Sequence, residues 1–210
     1  MKYYILTDEK FGGEIFRYND GTYERFVYGP NTWIESNLFN KYLDEKSSVF
    51  NMFDEIEEKK IVDILAKQIE KYERLWNVAY KFANRVHEGT RDRNGVDYIQ
   101  HPIYVANQFE IYDFKIVGIL HDVVENTSTK LEDLEKCGFP PKIINAIEAI
   151  TRRDGEDYFD YIERLKHNYI ARKVKIEDVK HNLQEDRLKN LHNKEALRKK
   201  YERAYEMLIQ

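Results

Sequence analysis

The sequence predicts a mostly α-helical protein with a small antiparallel β meander at its N-terminus. Residues 1–52 alternate aromatic or apolar with polar positions, as in Tyr23-Glu24-Arg25-Phe26-Val27-Tyr28, which is the period of a half-buried strand. From about Phe53 onward, apolar residues recur at spacings of three and four, which is the period of an amphipathic helix. We therefore predict a β-rich N-terminal module at residues 1–52 and a helical domain at residues 53–210.

The predicted strands lie around residues 3–6, 14–18 and 23–28. Gly12-Gly13 and Asn19-Asp20-Gly21 separate them, and these residue types tolerate the positive φ angles of tight hairpin turns. A short sheet needs another layer to bury one face. We expect the aromatic residues of the meander to pack against the helical domain, with a binding surface as the alternative and its partner unassigned.

The helical part is predicted to begin with one long helix, or two in succession, ending near Val86. A new helix is expected at His101-Pro102, because the fixed φ of proline suits the first turn and its missing N–H is not needed there. The remaining predicted helices span residues 115–125, 141–150, 157–166, 170–183 and 195–208. Polar segments at residues 88–100, 126–130 and 152–156 are predicted loops.

Composition narrows the class of protein. No stretch approaches the roughly 18 consecutive apolar residues of a membrane span, and the first nine residues have no apolar signal core, so we expect a cytoplasmic protein without a membrane partner. The formal charge of −4 gives no general attraction to nucleic-acid phosphates. Cys137 is the single cysteine and is interpreted as an incidental thiol.

The most promising group of candidate metal-binding and catalytic residues has five members: His101, His121, Asp122, Glu125 and Asp178. Imidazoles and carboxylates suit a divalent ion such as manganese, iron or zinc. His121 and Glu125 are four apart and would share one helical face. Alone, each residue also has an ordinary interpretation, such as a helix-entry histidine or a solvated charge. The apolar run before His121 favours a buried pair at His121-Asp122, and buried charges need a partner or a metal.

Three linked motifs resemble those of the hydrolase domain of RelA/SpoT-type alarmone enzymes, in matching order over roughly residues 70–205. The motifs are His87-Glu88-Gly89 with Asp97-Tyr98-Ile99-Gln100-His101-Pro102, then Gly118-Ile119-Leu120-His121-Asp122-Val123-Val124-Glu125-Asn126-Thr127, and finally Val174-Lys175-Ile176-Glu177-Asp178 with His181-Asn182-Leu183.

The resemblance implies an all-helical histidine–aspartate (HD) domain bundle. It also implies metal ligation by His101, His121, Asp122 and Asp178, normally of manganese, and hydrolysis of the 3′-pyrophosphate of guanosine tetra- or pentaphosphate. His87 belongs to the motif without being a ligand of the family, so we interpret it as structural.

The resemblance also assigns two catalytic positions. In the family an acidic pair lies near the attacking water, whereas this chain has Glu125 followed by Asn126. An amide can orient water but cannot act as a base, so Glu125 would carry proton transfer alone. On this view, Asn126→Asp is expected to raise turnover.

The expected substrate-binding residues carry complementary charge or aromatic surface. Arg91 or Arg93, on either side of Asp92 at the family's usual arginine position, would hold the outer phosphates together with Lys175. Asn182 lies on the same helical line as Asp178 and is counted with them. Tyr201 matches a nucleotide-contacting tyrosine of small family members, with core packing as the alternative.

The sequence therefore predicts a metal-dependent hydrolase of a small guanosine nucleotide. Two alternatives stay open: a phosphohydrolase of another nucleotide, and a weakened sensor that binds the alarmone and signals through the N-terminal module. Metal identity and a homo-oligomeric state are also left open.

Overall fold

The computed structural model describes residues 1–7, 13–36, 53–189 and 191–210. Within these ranges an antiparallel sheet precedes a series of helices, which confirms the mostly α-helical class. The strands are β1 Lys2–Leu6, β2 Ile15–Asn19, β3 Thr22–Val27, β4 Thr32–Glu35 and β5 Phe53–Ile56. The helices are α1 Glu58–Val86, α2 Gln100–Ala106, α3 Tyr112–Leu120, α4 Val123–Asn126, α5 Leu131–Lys136, α6 Pro141–Ile150, α7 Tyr158–Leu165, α8 Tyr169–Asn182, α9 Glu185–Leu188 and α10 Lys194–Ile209. None of these helices combines the length and apolar character needed to cross a membrane.

The sheet has the strand order β4-β3-β2-β1-β5, with every neighbouring pair antiparallel. The predicted turn between β2 and β3 is present, because Asp20 and Gly21 have φ angles of 45° and 87°, as a tight primed hairpin turn requires. Gly13 is also at positive φ, while Gly12 lies outside the described residues.

Strand β5 is a correction to the prediction that helical structure begins near Phe53. Phe53–Ile56 pairs with β1, and α1 starts only at Glu58. Phe53 and Ile56 are three residues apart, so their spacing fits a helix as well as the two ends of a short strand. Pairing with the free edge of β1 decides in favour of the strand.

The chain forms two compact units, one of residues 1–74 with 140–142 and one of residues 75–139 with 143–210. In the first unit, Ile15, Phe26 and Val27 are buried, and the ring of Tyr28 stacks on Tyr72 of α1 at 4.4 Å. The assignment of residues 1–52 as a functionally separate module stays a prediction.

In the second unit the predicted helices at residues 141–150, 157–166, 170–183 and 195–208 are confirmed as α6, α7, α8 and α10, to within a residue at most ends. Helices α7, α8 and α10 share a buried core cluster, made of Tyr161, Ile162, Leu165, Val179, Ala204 and Leu208. This core fixes the orientation of α8, which carries Asp178.

The predicted helix at residues 115–125 is wrong as a continuous element. His121 and Asp122 form a turn between α3 and α4, although the backbone angles of both residues stay in the right-handed helical region. His121 Nε2 and Asp122 Oδ2 are 3.2 Å apart. The shared helical face of His121 and Glu125 stays a prediction.

Gly118 allows α3 to lie very close to α2. A Cβ atom at this position would be 2.9 Å from the Cα atom of Ala106, a separation that a larger residue cannot occupy without backbone movement. Helix α3 also contacts α8, and α2 contacts α8. These three helices therefore bring His101, His121 and Asp178 together.

Candidate active site

Four side chains converge where α2, α8 and the α3–α4 turn meet. Single ligand atoms of His101, His121 and Asp178 all lie within 4.8 Å of one another. The Nε2 atom of His101 is 3.0 Å from Asp178 Oδ1 and 3.7 Å from Asp122 Oδ2, and His121 Nε2 is 3.9 Å and 3.2 Å from the same two oxygens. The four predicted metal ligands thus occupy one cluster.

The imidazole of His121 is arranged to present a lone pair to this cluster. Its Nδ1 atom is 2.8 Å from the carbonyl oxygen of Gly118, and a carbonyl only accepts, so Nδ1 carries the proton in the neutral ring. Nε2 is then a bare acceptor that faces carboxylate oxygens, and it has no hydrogen-bond partner among the described residues. Acceptors that face one another at this distance need a proton or a metal ion between them.

The pKa values of His121 and Asp122 also indicate that this cluster attracts positive charge. Burial acts to lower the pKa of His121, but the carboxylates of Asp122 and Asp178 outweigh it and raise that pKa to about 9. For Asp122, burial is likewise outweighed by His121 and His101, so its pKa lies below the usual range. The cluster therefore attracts positive charge, which a proton supplies in the metal-free protein and a divalent ion can supply instead.

Asp178 is held by two neighbours on its own helix. Its Oδ1 atom accepts a hydrogen bond from Asn182 Nδ2 at 2.6 Å, and its Oδ2 atom forms an ion pair with Lys175 Nζ at 2.7 Å. Although burial opposes ionisation, Lys175 and His101 keep the pKa of Asp178 well below its usual value. Asp178 is therefore a fixed, ionised carboxylate with Oδ1 turned toward the two imidazoles.

His101 has a second histidine behind it. Its Nδ1 atom lies 2.7 Å from Nδ1 of His181. If Nε2 of His101 is the ligand atom, Nδ1 carries the proton and donates it, and His181 accepts. Burial, followed by repulsion from His101, lowers the pKa of His181 to about 4, so His181 is the neutral acceptor that this arrangement needs.

Tyr98 holds the remaining ligand. Its hydroxyl donates to Asp122 Oδ2 at 2.5 Å and accepts from Asn126 Nδ2 at 2.8 Å. His87 is buried, with its ring centroid 4.9 Å from that of Tyr98, a position compatible with the structural role expected for it.

A cavity of about 360 Å³ opens over the cluster, a size suited to a small ligand. Its lining includes every residue predicted for the site except His121, which is buried beneath it. Those predicted lining residues are Arg91, Arg93, His101, Asp122, Glu125, Asn126, Lys175, Asp178, Asn182 and Tyr201.

Comparison with known proteins gives the site a context. No family model matches the sequence. The chain is 30% identical over 95 residues to the bifunctional (p)ppGpp synthase/hydrolase SpoT of Escherichia coli (strain K12), covering 43% of this chain and 13% of that protein. It is 32% identical over 117 residues to the guanosine-3′,5′-bis(diphosphate) 3′-pyrophosphohydrolase MESH1 of Danio rerio, covering 50% of this chain and 64% of MESH1.

A solved structure of a metazoan ortholog of SpoT has a similar fold, with a TM-score of 0.52 and 19% sequence identity over 64% of this chain and 83% of that one. Over these segments the chain is similar in sequence to proteins named as (p)ppGpp hydrolases. The matched segments span less than two thirds of SpoT and of MESH1.

The two predicted substrate-binding arginines, Arg91 and Arg93, both line the cavity from exposed positions. Arg91 also donates to the carbonyl oxygen of Gly95 in its own loop at 2.7 Å. Tyr201 lines the cavity and also packs on the core of α7, α8 and α10, which confirms the core-packing interpretation. Direct substrate contact by these residues stays a prediction.

Asp92 organises the loop that carries both arginines. Its Oδ1 atom accepts from the backbone N–H groups of Asn94 and Val96 at 2.9 and 3.0 Å. Its Oδ2 atom pairs with Arg187 at 3.2 Å. This explains in structural terms why an acidic residue is accommodated at a position where the resemblance leads one to expect arginine.

Sequence reasoning missed three cations of the cavity. Arg152 follows α6, Arg187 lies in α9 and Lys200 lies in α10, and all three line the cavity. Lys200 Nζ is 3.7 Å from the ring centroid of Tyr158. Burial lowers the pKa of Lys200, and repulsion from Arg152, Lys175 and Arg93 lowers it further. The sequence offers only the basic run Arg198-Lys199-Lys200 as a signal, without indicating which member faces the cavity.

Glu125 also lines this cavity from an exposed position and accepts a hydrogen bond from the backbone N–H of Arg152 at 3.2 Å. The arrangement thus combines a metal-type cluster, a carboxylate and a group of cations around one cavity. It can bind an anion and hold a proton acceptor beside it.

Proposed function

We propose that this chain is a metal-dependent hydrolase, built on an HD-type helical bundle, that removes the 3′-pyrophosphate from guanosine tetra- or pentaphosphate. The observation that carries the proposal is the convergence of His101, His121, Asp122 and Asp178 at one cavity, with His101 Nε2 3.0 Å from Asp178 Oδ1 and His121 Nε2 3.2 Å from Asp122 Oδ2. The reaction named for SpoT and MESH1 supports the choice of substrate.

The four ligands fit a divalent ion of borderline hardness, because two imidazole nitrogens and two carboxylate oxygens are the donors such ions accept. We propose manganese as the resident ion. A divalent ion there would polarise a water molecule and neutralise charge that develops on a phosphoryl oxygen. The surrounding hydrogen bonds from Tyr98, Asn182 and Lys175 would hold the carboxylates in the orientation that ligation needs.

In the reaction, the oxygen of water forms a bond to the phosphorus next to the ribose 3′ oxygen, and the bond from that phosphorus to the 3′ oxygen breaks. The water loses a proton, and the leaving oxygen gains one. Glu125 is the carboxylate placed to take the first proton, because its side chain lines the cavity and is exposed to solvent.

The cations of the cavity would hold the phosphates. Arg93, Arg152 and Lys200 line one cavity, and the lowered pKa of Lys200 reflects, after burial, their mutual repulsion. A multiply charged phosphate chain would relieve that repulsion. Arginine offers bidentate hydrogen bonds and lysine a point charge, so the two residue types are complementary here.

The substrate proposed is a free nucleotide, which agrees with the cytoplasmic location expected from the sequence. We also propose that residues 53–210 contain all of the catalytic groups, since the described residues that line the cavity lie between Arg91 and Tyr201.

A nucleotide panel tests this proposal. Purified protein with Mn²⁺ would be incubated with guanosine tetraphosphate, GTP, and other purine and pyrimidine nucleotides, and the products separated by anion exchange. We expect guanosine diphosphate and pyrophosphate from guanosine tetraphosphate alone. Faster hydrolysis of another nucleotide would favour the alternative phosphohydrolase, and tight binding without products would favour the sensor.

A further inference from the structure

Two hydrogen bonds in series connect Asn126 to Tyr98 and Tyr98 to Asp122. Their direction is fixed, because the amide N–H of Asn126 only donates and the carboxylate of Asp122 only accepts. The Nδ2 atom of Asn126 has only protons to offer, so the Tyr98 oxygen accepts at 2.8 Å. The single phenolic proton is then left for Asp122 Oδ2, which lies 2.5 Å away. Asp122 Oδ2 is the atom that faces His101 and His121.

We propose that Asn126 is a positioning residue for the metal centre. By donating to the Tyr98 oxygen, the Asn126 amide leaves the tyrosine proton for Asp122 and so fixes the direction of the Asp122 carboxylate. Hydrogen bonds in series strengthen one another, and partners behind a metal ligand set its orientation and affinity. This inference rests on the proposed metal site.

A carboxylate at position 126 would change the direction of the hydrogen bond between residue 126 and Tyr98. An ionised aspartate offers acceptors only, so it would compete with Asp122 for the one proton of Tyr98. The Tyr98 hydroxyl has one proton, and it would then lie between two carboxylates, of which it could donate to only one. This leads us to expect the opposite of the sequence-based expectation: Asn126→Asp weakens the site rather than repairing it.

The proposal can be separated from simple charge effects because the two have opposite signs. An added negative charge near a cation site attracts the cation and would tighten metal binding. Loss of the Tyr98 hydrogen bond to Asp122 loosens the ligand and would weaken metal binding. The sign of the change in Mn²⁺ affinity therefore identifies which effect dominates.

The experiment is a double-mutant cycle on Mn²⁺ affinity, measured by competition with a fluorescent chelator. The four proteins are the unmodified chain, Asn126→Asp, Tyr98→Phe and the double variant. We expect Asn126→Asp to weaken Mn²⁺ binding about tenfold, within the range known for partners behind metal ligands, and Tyr98→Phe to weaken it similarly. The double variant should bind no more weakly than Tyr98→Phe, because the route through the hydroxyl is already absent.

Asn126→Ala serves as the matched control, since it removes the donor without adding an acceptor, and should fall between the unmodified chain and Asn126→Asp. Unchanged or tighter binding by Asn126→Asp would overturn the proposal. If Asn126→Asp lowers Mn²⁺ affinity by the same factor in the unmodified chain and in Tyr98→Phe, the proposal is also wrong, because the effect would then not depend on the tyrosine hydroxyl. If the unmodified chain binds no Mn²⁺, the proposed metal site itself is wrong, and the positioning role falls with it.

Discussion

His101 Nδ1 lies 2.7 Å from His181 Nδ1, and the planes of the two imidazoles are within 12° of parallel. His181 is also stacked against Tyr104, with ring centroids 3.9 Å apart. Removing the acceptor while keeping the stack should free the His101 ring to rotate. We predict that His181→Phe weakens Mn²⁺ affinity about tenfold and leaves the fold intact by circular dichroism. Unchanged affinity would mean that stacking alone orients His101.

Lys175 and Asp178 make a separate prediction about stability. Their ion pair is 2.7 Å long, and their side chains are 13% and 5% exposed. Removing one partner of such a pair leaves the other charge buried and unpaired, which lowers the free energy of unfolding by about 3 kcal/mol or more. We therefore expect Asp178→Ala to lose both metal and stability in urea unfolding. Adding Lys175→Met should restore much of the stability without restoring metal. A double variant as unstable as the single one would show that the stranded charge is not the cause.

The metal-free protein should lose stability as the pH rises through the range in which His121 titrates. The pKa of His121 increases from 6.5 to about 9 on folding, because Asp122 and Asp178 outweigh burial. Its contribution is fully present below about pH 6.5 and is lost as the pH rises through 9. Urea unfolding in the presence of a chelator should give a lower free energy of unfolding at pH 9.5 than at pH 7. His121→Asn provides the control and should show a flatter dependence, whereas equal slopes would count against protonated His121.

Lys200 and its neighbour Lys199 offer a matched pair of substitutions in the proposed phosphate-binding region. Lys200 lines the cavity, whereas Lys199 is exposed and not among the lining residues. We predict that Lys200→Met lowers kcat/KM for guanosine tetraphosphate at least tenfold, mainly through KM, with Mn²⁺ affinity unchanged. Lys199→Met should remain within about twofold of the unmodified protein. Similar effects of the two substitutions would indicate only a general loss of positive charge.

The helices could be predicted best where one apolar stripe runs along the whole element. Helices α6 and α7 have such a stripe, so their limits follow from the sequence to within a residue. The turn between α3 and α4 could not be predicted, because helical periodicity and helical backbone angles continue through His121 and Asp122. Strand β5 was missed for a related reason, since two apolar residues three apart fit either structure.

The candidate metal ligands could be predicted from their sequence motifs. The distances and hydrogen bonds that join them are seen only in the structure. Tyr98 and His181 belong to the motifs, but the sequence assigned them no role. Tyr98 bonds to a residue 24 positions away and His181 to one 80 positions away, and local sequence patterns do not reveal such contacts. Arg152 and Lys200 come from separate elements that tertiary packing brings to one cavity.

His101, His121, Asp122 and Asp178 are proposed to hold one divalent ion on which hydrolysis depends. The most direct test titrates metal-free protein with Mn²⁺ while pyrophosphate release from guanosine tetraphosphate is followed. We predict that release rises in proportion to bound ion and reaches its plateau at one ion per chain, with none from the Asp178→Ala, Lys175→Met double variant. Full release in the presence of excess chelator, or a bound ion without any release, would contradict the account.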